Sequence, residues 1–206
     1  AADPDNKQGR VELAAMLLMG DSGLRREEAA TATSDQLRPS SFATGVWELN
    51  VLGKRRKWRT VPVSKRTFQA LQAHWGDRHA DIKMDLLPAP LLSPLITPQT
   101  PASLEKHGHA EEMPYAPAAI YPLIKGLIKK AIATREFEID EETALLRVSP
   151  HAFRHTFGTQ AVAKGVPVDV AQKVLGHASV STTSIYVQAE KERTMIESKK
   201  FFERLG

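Results

Sequence analysis

Apolar residues recur at Val11, Leu13, Ala14, Ala15, Leu17 and Leu18, a spacing that predicts a largely buried helix ending near Gly20, after a linker-like opening Ala-Ala-Asp-Pro-Asp-Asn. A second helix is expected from about Gly23-Leu24-Arg25 to Ala32, with Glu27 and Glu28 in a first turn whose dipole favours acidic groups. Between Leu37 and Val63 the pattern shortens into runs separated by turn residues: Trp47 to Leu52, then Gly53-Lys54-Arg55-Arg56-Lys57, then Trp58 to Val63. Such runs predict a hairpin with a basic tip inside a three-stranded sheet. Helical spacing resumes from Ser64 to about Trp75.

Residues 85–117 hold seven prolines and little periodicity, which predicts an extended, mobile surface insertion. A helix rich in Ile and Leu is expected over Ala118 to Ala133, with Lys125, Lys129 and Lys130 on its other faces. Ser149 and Pro150 are suited to the N-cap and first turn of a helix running to Lys164 and stopping at Gly165. Another helix should start near Pro167, bury Val170, Ala171, Val174 and Leu175, and end at Gly176. A short helix carrying Tyr186 and a charged C-terminal helix to about Arg204 complete a mainly α-helical α+β domain with a small antiparallel three-stranded sheet.

Composition narrows the partners. The 206 residues and 42% apolar content suit one sizeable core. Lys and Arg exceed Asp and Glu by 28 to 24, and their clustering suggests a polyanionic partner. With no cysteine, disulfide frameworks and thiolate metal sites are excluded. No run approaches the ~18 apolar residues of a membrane span, and no signal-peptide pattern opens the chain, so a cytoplasmic location without membrane contact is expected.

Three separated signals carry candidate chemistry: Gly23-Leu24-Arg25 with Glu28 three residues on, Ser149-Pro150-His151-Ala152-Phe153-Arg154-His155-Thr156, and Leu175-Gly176-His177 with Tyr186 nine residues beyond. His151 and Arg154, three apart on a helix, share a face. The guanidinium is a planar fork of donors matched to phosphate oxygens, so Arg25 and Arg154 could grip both non-bridging oxygens of one phosphodiester and stabilise a pentacoordinate transition state. No metal or other cofactor is then required. Tyr186 is the candidate nucleophile; a phenol's ordinary pKa of about 10 means that its proton has to be taken.

The ordered set resembles the tyrosine recombinase, or phage integrase, family, and the resemblance extends from residue 10 to 190. Its catalytic series of Arg, Lys, His-x-x-Arg, His and Tyr is matched by Arg25, Lys54, His151, Arg154, His177 and Tyr186. The resemblance implies that His151 accepts the phenolic proton, His177 donates a hydrogen bond to the phosphate and Lys54 protonates the leaving 5′ oxygen, leaving a 3′-phosphotyrosyl link. Lys57 lies close enough to rival Lys54, and two family positions after Glu28 are replaced by Ala and Thr. The implied partner is double-stranded DNA, bound as a homotetramer, with a monomer expected of a free fragment. The family's N-terminal helical domain has no counterpart here, so residues 1–206 are expected to be the catalytic domain alone.

Arg26, Arg55, Arg56, Lys57 and Arg59 are candidate DNA-backbone contacts; the plain alternative is an exposed, solvated hairpin face. His151 and His155, four apart, have the spacing of a zinc-ligand pair, but Ala152 stands where the hydrolase glutamate belongs and no acidic cluster supplies a third ligand. His155 is instead expected to support the active-site helix. The helices from Pro150 and Pro167 also scan as a helix-turn-helix, which leaves Arg25, Lys54 and Tyr186 unexplained. A type IB topoisomerase shares the chemistry but swivels one strand rather than exchanging partners.

Overall fold

The computed structural model describes residues 6–53, 56–78, 88–96, 105 and 113–176. Among them, seven α-helices surround one three-stranded antiparallel sheet: α1 (Lys7–Gly20), α2 (Arg26–Thr31), β1 (Leu37–Pro39), β2 (Val46–Leu52), β3 (Trp58–Ser64), α3 (Lys65–Gly76), α4 (Pro117–Thr134), α5 (Ile139–Arg147), α6 (Pro150–Ala163) and α7 (Val168–Leu175). The mainly helical α+β class and the sheet agree with the sequence pattern. No helix among the described residues is long and apolar enough to cross a membrane.

Helix α1 is central because Val11, Ala14, Ala15 and Leu18 are all fully buried, and the two alanines let neighbouring elements approach closely. Its one buried acid, Glu12, accepts hydrogen bonds from Lys130 Nζ on α4 (2.8 Å) and from Gln8 (3.0 Å). At its start Asn6 caps the helix by accepting from the Gly9 N–H at 2.7 Å. The sheet runs β1-β2-β3, with Leu49 opposite Leu37 and Val61, so that the inward side chains of all three strands meet in one layer. Leu49, Val51, Val61 and Val63 are buried in this layer. Trp47 stacks on Phe68 of α3 with ring centroids 4.0 Å apart, which fixes α3 against the sheet.

The Pro-rich stretch differs from expectation in its described part. Leu91 and Leu92 are fully buried, Ser93 and Met113 nearly so, and the Trp75 indole donates to the Leu91 carbonyl at 3.0 Å. Residues 90–93 therefore fill the core between α2 and α3 and are not a surface loop: Leu91 N–H donates to Ala32 O, and Pro90 bridges to Thr33. The prolines suppress a periodic signal while leaving two adjacent leucines to bury. Beside them His74 is fully buried and accepts from the Ser93 N–H at 3.3 Å; burial, aided by the Arg78 charge, pushes its pKa down to about 4. Residues 85–87, 97–104 and 106–112 of the same stretch lie outside the described residues.

Two further differences lie towards the C-terminus. Helix α5 has no counterpart in the sequence pattern; it is short, fully buries none of its residues, packs Leu145 partly against the core and starts with Glu138 capped by Glu141 (3.2 Å), so only a weak apolar signal marks it. Helix α7 buries Ala171 and Leu175, whereas Val170 is 41% exposed and Val174 only half-buried. Being only eight residues long, α7 needs a narrow apolar face, and it packs with Val162 and Phe157 of α6 in a small second cluster. The expected helices around Tyr186 and up to Arg204 lie outside the described residues.

Because Leu92 is a core residue, Leu92→Ala should lower unfolding free energy by about 3 kcal/mol, as large-to-small core substitutions do. Urea denaturation of the variant measures it; a loss within about 0.5 kcal/mol, the usual surface value, would return this segment to the surface.

Candidate active site

The site is assembled where the start of α2, the start of α6 and the end of α7 converge. The turn before α2 depends on Gly23. Its φ of +64° is left-handed, and a Cβ there would sit 2.6 Å from Phe157 and 2.9 Å from Leu175. The tight passage brings the Gly23 carbonyl to Arg154, whose guanidinium donates to it at 2.6 Å and also donates to the Leu175 carbonyl. Arg154 is 2% exposed. It thereby pins α6 to both the α2 turn and the last residue of α7.

Arg25 is the N-cap of α2 and is the more open of the two forks, with 27% of its side chain exposed. The Glu28 carboxylate reaches back to accept from the Arg25 backbone N–H (2.8 Å) and from its Nη1 (2.9 Å), while Arg25 Nη2 donates to the Gly176 carbonyl (3.3 Å). On its other side Glu28 accepts a two-pronged ion pair from Arg59 of β3, at 2.6 and 2.7 Å. Burial alone would raise the Glu28 pKa, but hydrogen bonds and charge from Arg59 and Arg25 outweigh it and hold the carboxyl at about 2. Glu28 is therefore ionised throughout the neutral range.

His151 stands exposed in the first turn of α6, with its ring edge-to-face against His155 at 4.2 Å between centroids. Partial burial, then the positive neighbours His155, Arg154 and Arg25, push its pKa below the ordinary histidine value. At neutral pH the imidazole is uncharged and can accept a proton. Arg25, Arg26, Glu27, His151 and Arg154 line one open cleft of about 440 Å³, so three of the six residues matched by sequence come together. Lys54, His177 and Tyr186 lie outside the described residues, as does Arg55. Gly176, left-handed at φ +62°, ends α7 immediately before His177.

The basic candidates divide. Arg56 and Lys57 are exposed at the hairpin tip, and Arg26 is 44% exposed beside Glu27. Arg59, a candidate DNA-backbone contact from the sequence, is turned inward: its side chain is 11% exposed, and it donates to Glu28 and, through Nε, to the Val174 carbonyl at 2.7 Å. The inward turn has a simple cause, since a buried carboxylate at position 28 demands positive charge and Arg59 reaches it alongside Arg25. Both guanidiniums line the cleft but are held differently, Arg154 donating to the Gly23 and Leu175 carbonyls and the more exposed Arg25 to Glu28 and the Gly176 carbonyl. Sequence spacing did place Glu28 three residues after Arg25, the signal of a carboxylate reaching back to a helix start, but nothing in it linked Glu28 to Arg59. Among the described residues no group of three or more His, Cys, Asp or Glu could hold a metal ion.

Comparison with known proteins identifies the family and the fold. The model of the phage integrase family matches residues 1–193. Tyrosine recombinase XerC of Shewanella sp. (strain W3-18-1) is 31% identical over 180 residues, covering 86% of this chain and 47% of that protein. Tyrosine recombinase XerD of Xanthomonas campestris pv. campestris is 30% identical over 188 residues, covering 89% and 50%. The chain spans about half the length of these curated relatives. Among solved structures, the XerH site-specific recombinase bound to palindromic difH substrate, a post-cleavage complex, aligns with a TM-score of 0.60 at 21% identity over 97% of this chain and 48% of that one. XerA recombinase aligns at 0.57 and 22%, over 94% and 63%. At this identity the two structures establish a shared fold.

The conformation of Gly23 generates a test of how the site is held. Gly23→Ala should cost about 2 kcal/mol or more, from the left-handed φ and the displaced Phe157 together. A thermal midpoint equal to wild type would show that the α2 turn does not need glycine.

Proposed function

Because this chain belongs to the phage integrase family, we propose that it is the catalytic part of a site-specific DNA recombinase that cuts and rejoins duplex DNA through Tyr186. The observation that carries the proposal is the single cleft in which Arg25, His151 and Arg154 meet, since Arg25 is more than a hundred residues away in sequence from the other two yet converges with them around a space open to a phosphodiester. Relatives named as tyrosine recombinases and a fold shared with a recombinase solved on its DNA substrate support it.

The chemistry assigned to the site balances without a cofactor. Arg25 presents its fork to the scissile phosphate, and the buried Arg154 adds positive potential from the cleft wall, where charge building in the transition state is stabilised most. The phenolic oxygen of Tyr186 attacks phosphorus and its proton passes to neutral His151. His177 donates to a phosphate oxygen. As the bond to the 5′ oxygen breaks, Lys54 supplies the proton that turns a poor leaving group into a hydroxyl. The 3′-phosphotyrosyl link retains the bond energy, and a 5′ hydroxyl from a partner strand reverses the steps to rejoin DNA. Arg26, Arg55, Arg56 and Lys57 are assigned to the DNA backbone, and four copies to the assembly on DNA.

Tyr186→Phe should keep DNA affinity, which rests on phosphate contacts, yet lose covalent complex formation by at least about 1,000-fold. The assay is a denaturing gel after incubation with a nicked suicide duplex, selected from a random-sequence library by covalent capture on the wild-type protein. Wild-type complex should also form undiminished in EDTA. A band from Tyr186→Phe at wild-type intensity, or strict dependence on added Mg²⁺ or Zn²⁺, refutes the mechanism.

Lys54→Ala should slow cleavage of ordinary DNA by roughly 100-fold to 10,000-fold, yet cut normally a duplex with sulfur at the 5′ bridging position, because a thiolate leaves without a proton. Rescue seen with Lys57→Ala and not with Lys54→Ala would transfer the role to Lys57.

A further inference from the structure

We infer that Arg59 is a positioning residue for DNA cleavage: it takes up the negative charge of Glu28, so that Glu28 can orient Arg25 without cancelling the positive charge Arg25 brings to the scissile phosphate. The inference rests on the recombinase function proposed above. Its basis is the arrangement of three charges. Glu28 accepts from the Arg25 backbone N–H at 2.8 Å and from its Nη1 at 2.9 Å, and from Arg59 Nη1 and Nη2 at 2.6 and 2.7 Å, so one carboxylate serves two guanidiniums. Arg25 and Glu28 alone would form a neutral pair, and an arginine neutralised by its own carboxylate is a poor ligand for a phosphodiester. With Arg59 present the three groups carry a net single positive charge, and Arg25, at 27% exposure against 11% for Arg59, is where that charge is available.

Two more contacts tie Arg59 to the reacting centre. Its Nε donates to the Val174 carbonyl at 2.7 Å, and its Cδ lies where a Cβ on Gly176 would be 2.9 Å away. The carbonyl of that same glycine accepts from Arg25 Nη2. Arg59 and Arg25 thus bracket the end of α7, and a side chain at position 176 would drive them apart. The end of α7 at Gly176 and the fork of Arg25 are set by one clasp. A guanidinium is suited to this place because it offers two parallel donors to the carboxylate and a third, Nε, to the carbonyl, which an ammonium cannot present in one plane. The permanent ionisation of Glu28 keeps the need for a counter-charge constant across neutral pH.

The test measures single-turnover cleavage of the captured suicide duplex by the full-length protein, with enzyme in excess and its concentration varied. Arg59→Met should lower the maximal rate by about 100-fold while shifting the half-saturating concentration by less than about 5-fold, the signature of an interaction needed in the transition state. Adding Glu28→Gln should recover at least about tenfold of that loss, because the amide oxygen still accepts from Arg25 while the uncompensated charge is gone, an interaction energy that a double-mutant cycle isolates. A purely structural Arg59 predicts instead that the second substitution adds to the damage. A rate for Arg59→Met within about threefold of wild type, or a double variant no faster than the single one, overturns the inference. Should Arg59→Met fail to yield folded protein, Arg59→Lys decides: cleavage within about tenfold of wild type supports a charge role, and a loss as complete as that of Arg25→Ala overturns it. Absence of any Tyr186-dependent covalent complex from the wild-type protein marks a failure of the recombinase function itself and removes the inference with it.

Discussion

A single carboxylate organises the site. Glu28 is 5% exposed, and an ionised carboxylate so far from water is tolerated only when its oxygens are filled by cations and N–H groups. Four such bonds converge on it, from a strand and from the start of its own helix, and they determine where α2 begins, which way β3 presents Arg59 and how closely the end of α7 approaches. Removing one partner from such a cluster leaves the others buried without compensation, which costs roughly 3–5 kcal/mol in comparable buried pairs. That sensitivity fixes the geometry.

The second layer of organisation uses backbone carbonyls rather than charges. Arg154 donates to the oxygens of Gly23 and Leu175, Arg25 to that of Gly176, and Arg59 to that of Val174. The last turn of α7 is where a helix leaves its carbonyls without intrahelical partners, so three arginines satisfy acceptors that would otherwise need water. The small cluster of Val162, Ala171 and Leu175 carries little apolar area of its own, and these polar clasps join it to the larger core built on α1.

How much of this was legible in the sequence depended on whether a signal was local. The hairpin, the helix starting at Pro150 and the stops at Gly20 and Gly176 are written in turn residues and periodicity, and the structure follows them within a residue or two. Spacing also placed His151 and Arg154 together, and Arg25 with Glu28. What escaped was every pairing across distance: Arg59 lies 31 residues from Glu28 and 115 from Val174, and a basic hairpin reads as solvent-facing until its carboxylate partner is seen. Leu91 and Leu92 escaped for the opposite reason, since prolines on both sides erased the period by which buried residues are recognised, although burial needs only two adjacent side chains. The acidic helix α5 escaped because it is short, fully buries no residue and packs little more than Leu145 against the core, too little apolar periodicity to find.

The strand order has a consequence for how copies of this domain can meet. Among the described residues β1 and β3 are the edges of the sheet; β1 is three residues long and ends in Pro39, and β3 carries Pro62 and has Arg59 reaching across to α7. A strand that lacks an N–H at a ladder position, or that is too short to offer a row of them, is a poor template for a neighbour's backbone. Sheet-to-sheet extension is thereby disfavoured at both margins, which guards the domain against runaway polymerisation through its strands.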